Sequence, residues 1–81
     1  MLHGADRLVL MANQISRAYA IEGEERAVAQ TAGPMQKFWE PRMRDAITAY
    51  VKETGGKGLD EYALKAVNAL KPSRVNPELG A

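Results

Sequence analysis

Lys37-Phe38-Trp39-Glu40-Pro41-Arg42-Met43-Arg44 is the stretch on which the reading of this chain turns. It places the only Phe and the only Trp of 81 residues side by side, ahead of a proline and two arginines. Proline cannot continue a preceding helix but suits the first turn of a new one, so Trp39-Glu40-Pro41 reads as a junction between two helices. Adjacent helical residues point about 100° apart, so Phe38 and Trp39 cannot share one core. One anchors the interior and the other faces outward or toward a partner. Arg42 and Arg44 also diverge, with Glu40 and Asp45 as local salt-bridge partners, worth at most about 1 kcal/mol for exposed pairs. Large aromatics and arginine dominate small cores and binding hot spots alike, so packing and recognition concentrate here.

On the N-terminal side of the junction, Glu24 and Glu25 suit a helix start, and Ala27, Val28, Ala29 and Ala32 continue it. Gly33-Pro34 then predicts a kink or a break in a segment spanning about 24–39, with Pro34 opening a fresh turn. Further back, Leu8, Met11, Ala12, Ile15, Ala18 and Tyr19 fall at helical spacing and predict a helix over about 6–20 with Asp6 at its start and Gly23 marking a turn. On the C-terminal side, Met43, Ala46, Ile47, Tyr50 and Val51 predict a helix over 41–54, ended by Gly55, Gly56 and Gly58. Tyr62, Ala63, Ala66, Val67 and Leu70 predict a last helix over about 60–70, stopped at Pro72. No stretch alternates with period two. The expected fold is all-α, a small bundle of three to four short helices in one domain over residues 1–71, followed by a loose tail over 72–81.

At 8.9 kDa the chain buries only roughly 60% of the surface its unfolded form exposes. Apolar residues at 46% are too many for a disordered tail, and aromatics at 6% too few for a generous core. A helical module that leans on a partner fits both. Eleven Lys and Arg against ten Asp and Glu alternate along the chain, leaving no field of one sign to attract nucleic acid or an anionic membrane. Cysteine is absent, which excludes disulfides and iron–sulfur ligation on this chain. The longest apolar run, Leu8 to Ala12, is far short of a membrane span or a signal-peptide core, so a cytoplasmic location is expected.

Catalytic chemistry finds little purchase. His3, the single histidine, has no second His or Cys to complete a metal site, and Ser16 and Ser73 lack a base. Gly55-Gly56-Lys57-Gly58 lacks the spaced first glycine and the Ser or Thr of a phosphate loop and reads as a helix cap and turn. Glu24 and Glu25 are neighbours that diverge on a helix, which suits a first turn better than paired acid–base work. Asn13 and Gln14 sit mid-helix, where amides have no propensity advantage. Gln14 reads as exposed; Asn13 can bond a neighbouring backbone or a partner, the structural role being slightly favoured.

Three strings together, Leu8-Val9-Leu10-Met11-Ala12-Asn13-Gln14-Ile15, the Lys37 to Arg44 junction and Gly56-Lys57-Gly58-Leu59-Asp60, closely resemble the delta subunit of NAD-dependent formate dehydrogenase, over roughly Asp6 to Leu70. The resemblance implies an accessory subunit of a soluble, cytoplasmic, molybdenum- or tungsten-dependent complex that oxidises formate to carbon dioxide. It further implies partners: a large alpha subunit with the bis-pyranopterin metal cofactor and iron–sulfur clusters, and beta and gamma subunits with FMN, further clusters and NAD reduction. No cofactor, metal or catalytic residue is expected on this chain itself. The expected partner interface is Asn13, Gln14, Lys37, Phe38, Trp39, Pro41, Arg42 and Arg44. Two rival readings are a transient assembly factor aiding cofactor insertion and a small helical DNA-binding module, the latter disfavoured by a net charge of +1.

Overall fold

The computed structural model describes residues 4–71. It holds four α-helices: α1, Gly4–Tyr19; α2, Glu24–Phe38; α3, Pro41–Thr54; and α4, Glu61–Ala69. A 3-10 turn, Ala20–Glu22, leads from α1 to Gly23. Among the described residues there is no strand. The fold is all-α, as the periodicity requires. His3 and the tail expected over 72–81 lie outside the described residues.

Helix α2 is the hub, packing most extensively on α4 and on α1, while α3 leans on α1 and α4. The core is Leu8, Val9 and Ala12 of α1, Met35 of α2, Trp39, Ile47 of α3, and Ala63 and Val67 of α4. These side chains come from every element, so no helix pair buries its apolar face without the others.

Three sequence expectations change. Of the kink or break expected at Gly33-Pro34, the break does not occur: α2 runs from Glu24 to Phe38 with Pro34 inside it. Gly33 has no Cβ to meet the proline ring, which relieves the main clash that disfavours helix before proline. Thr31 and Met35, both fully buried, hold the helix on either side. Second, the buried face of α1 is rotated from the one apolar spacing suggests. Ala5, Leu8, Val9, Ala12, Asn13 and Ser16 are buried, whereas Met11 and Ile15 are only partly covered and Ala18 is exposed. Third, Ala46 of α3 is exposed, and Ile47 is that helix's one buried residue. Asp6 lies in the first turn of α1, where its charge favours the helix dipole.

The loop from α3 to α4 needs glycine at two places. Gly55 caps α3 in the left-handed region at φ 75°, its N–H donating to Val51 O at 2.8 Å. Gly56, at φ 89°, lies under α4; a Cβ there would sit 2.5 Å from Leu64 Cδ1. Thr54 Oγ1 accepts from the N–H groups of Gly56 and Lys57, both at 3.2 Å, and donates to Tyr50 O. Asp60 caps α4, with Oδ1 accepting from Ala63 N–H.

Candidate functional site

Two constellations emerge from the residues singled out in the sequence. The first is the α2–α3 junction. Trp39 leaves helical geometry, with ψ 139°, while its N–H still donates to Met35 O at 3.2 Å. Glu40 is likewise extended and caps α3, its carbonyl accepting from Met43 and Arg44 N–H, and Pro41 occupies the first turn. The chain therefore turns between Phe38 and Pro41 without opening the core.

That turn separates the aromatics. Trp39 is buried at 8% exposure, and Phe38 beside it is 79% exposed. Arg44 reaches back under the junction, Nη1 donating to Trp39 O at 2.6 Å and to Gln36 O at 3.2 Å. These carbonyls belong to the end of α2, where main-chain acceptors have no helical partner, and a cation there also suits the dipole. Arg44 thus serves the main chain rather than the carboxylate pairs expected from its neighbours in sequence. Its buried Nε has no partner. Gln36 Oε1 in turn accepts from Lys71 N–H at 2.8 Å, tying the end of the described chain to the same junction.

The rest of the junction splits between two surfaces. Lys37 and Phe38 border a shallow groove of about 230 Å³ on the outer side of α2, with Ala29, Gln30, Gly33 and Pro34. Arg42 lies instead on a larger groove between α1 and α3. Pro41 is exposed at the turn itself.

The second constellation is built on Asn13. Its Nδ2 donates to Gly58 O and its Oδ1 accepts from Asp60 N–H, each at 2.9 Å. Ser16 Oγ, one turn on, donates to Asp60 Oδ1 at 2.7 Å, and Arg17 Nε lies 3.3 Å from Asp60 Oδ2. Asn13 is only 6% exposed, so its amide is used within the chain as a clamp that holds the α3–α4 loop on α1. Gln14, about 100° further round the helix, is exposed. The pairing of Ser16 with Asp60 was not read from the sequence; the serine one turn after a mid-helix asparagine was the available signal.

Glu24 forms an ion pair with Lys65 at 2.5 Å across α2 and α4, and Glu61 lies 3.4 Å from the same ammonium. The bond to Glu24 leads in raising the Lys65 pKa above its ordinary value. Among the described residues no group of His, Asp or Glu could hold a metal ion, and no helix is long and apolar enough to cross a membrane.

Both constellations join elements: Arg44 ties α3 to the end of α2, and Asn13 and Ser16 tie α1 to the loop and cap before α4. The comparison with protein families supplies what geometry cannot. The model of the family described as NADH-dependent formate dehydrogenase delta subunit FdsD matches residues 7–67. The chain belongs to that family. The match runs from Arg7 in α1 to the buried Val67 of α4 and takes in both constellations apart from Lys71. No curated protein and no solved structure matches the chain.

Proposed function

We propose that this delta subunit is a non-catalytic structural component of a cytoplasmic formate dehydrogenase complex and docks on the large catalytic subunit through the outer face of α2 around Phe38 and Lys37. Phe38 is the observation that carries this reading. It is the only Phe in the sequence and is 79% exposed, and the fold has no use for its ring because Trp39 fills the interior. A large exposed aromatic beside a shallow groove is the residue type enriched at interface cores, with Lys37 at its polar rim. The metal cofactor, iron–sulfur clusters, flavin and NAD site belong in this reading to the alpha, beta and gamma subunits.

Capture of the large subunit by the tagged chain tests it. Phe38→Ala should leave the helical circular dichroism and melting temperature unchanged and weaken capture by about 2 kcal/mol, roughly thirtyfold. Ile21, 94% exposed on the 3-10 turn, provides the control: Ile21→Ala should change neither. Undiminished capture by Phe38→Ala would refute docking through this face. The native mass of the purified complex separates a permanent subunit from a transient assembly factor, since only the former co-purifies in stoichiometric amount.

A further inference from the structure

Helix α3 carries a second surface on which no other described element packs. Arg42, Ala46, Ala49 and Glu53 recur at i, i+4, i+7 and i+11, within about 60° of one another around the helix axis. All four are exposed. They form one wall of an apolar groove of about 410 Å³ that continues onto Ala5 and Leu8 of α1, with Met43 and Tyr50 between. Alanines at the centre allow another helix to approach at the short end of the usual 8–10 Å spacing.

The ends of this wall have opposite charge, and among the described residues neither Arg42 nor Glu53 has an ion-pair or hydrogen-bond partner. The other groove-facing groups are apolar apart from the Tyr50 hydroxyl, which donates to Lys57 O. The pattern reads the same in both directions with the sign reversed: charge, alanine, alanine, opposite charge. A second α3 laid antiparallel about an axis between Ile47 and Thr48 therefore sets Arg42 against Glu53 of the second copy, Glu53 against its Arg42, and Ala46 against Ala49. A parallel pair would oppose like charges at both ends and is disfavoured.

We propose that the α1–α3 groove is a self-association surface, occupied by α3 of a second copy of this chain in an antiparallel, two-fold arrangement. The occupant follows from charge complementarity, because the chain itself supplies the matching pattern. One pair of helices of about four turns buries less than the roughly 1,200 Å² of a standard interface, so the dimer of the isolated chain is weak. This inference does not depend on docking through Phe38, which lies on another face.

Sedimentation equilibrium of the full chain between about 10 µM and 1 mM tests the proposal, with association expected within that range. Arg42→Glu and Glu53→Arg should each weaken association at least about tenfold, since two attractive contacts become repulsive. Mixing the two single variants should restore it as a heterodimer, because one chain then carries an acid at both ends of the wall and the other a base at both. The double reversal in one chain should restore it as a homodimer. Three outcomes would overturn the proposal: a wild-type chain still monomeric at the upper concentration, a dimer indifferent to the reversals, or reversals not rescued by mixing. Capture of the large subunit is the parallel readout. If Arg42→Glu abolishes capture while the wild-type chain stays monomeric, the groove faces another subunit instead; loss of capture by Phe38→Ala with self-association intact concerns docking alone.

Discussion

Replacing Asn13 by alanine removes the clamp between α1 and the α3–α4 loop. The asparagine makes two hydrogen bonds of 2.9 Å, to Gly58 O and from Asp60 N–H, from a side chain that is 6% exposed. Each such bond contributes about 1 kcal/mol net, and a buried group left without a partner costs about 1–3 kcal/mol. The loop groups are part-buried, so water replaces some of what is lost, and the cost comes to about 2–3 kcal/mol. A domain of this size has only about 4–12 kcal/mol in total. At roughly 4–8 °C per kcal/mol, the melting temperature should fall by about 10–20 °C, read by far-UV circular dichroism. Asn13→Asp sharpens the test: it keeps the acceptor for Asp60 N–H but places a carboxylate against Gly58 O and near the Asp60 side chain. It should destabilise at least as much as alanine despite being closer in shape. A shift below about 3 °C for Asn13→Ala would refute the clamp as a stabilising element.

Pro34→Ala should stabilise α2 by about 1–2 kcal/mol, because a backbone donor returns to a helix that already runs through this position. Gly33→Ala should give little alone but gain about 1 kcal/mol in the Pro34→Ala background, where no ring opposes the new methyl; urea midpoints of the four proteins close the cycle. For Lys65 the folded pKa is raised by Glu24, so its contribution is complete below the unfolded value and is lost as pH climbs through the raised folded value. The difference in urea midpoint between wild type and Lys65→Met should therefore hold at about pH 9 and shrink above about pH 10.5, and a constant difference would exclude the pair as its source.

Helix number and limits were legible because proline and glycine punctuate this sequence where the chain turns. Pro41 opens α3 and Gly55 closes it, each for a reason local to its own backbone. The face of α1 was not legible from apolar spacing, because two of its inward residues, Asn13 and Ser16, are polar and face the main chain and cap of a loop over forty positions away. That Pro34 does not break α2 has a related reason: its local cost is outweighed by the burial of Thr31 and Met35, which is tertiary. Which aromatic turns inward could have been read. Ala27, Thr31, Met35 and Trp39 recur every four residues, and the buried ladder of α2 leads to the tryptophan and away from Phe38. The role of Arg44 could not, since the carbonyls it serves become available only once α2 ends at Phe38 and the chain turns.

Helix α3 is fastened unevenly, and this bears on motion. Ile47 alone is fully buried in it, while both of its ends are held, one by Arg44 under the junction and the other by Thr54 and the glycine loop. Extended backbone at Trp39 and Glu40 forms a natural hinge. Lifting α3 away would uncover the side of Trp39 and Ile47 while leaving the α1–α2–α4 contacts in place, a sub-global opening that needs less free energy than complete unfolding. Amide protons of α3 should then exchange ahead of those around Met35 and Val67. A surface laid across this helix would act as a brace on the least anchored quarter of the fold.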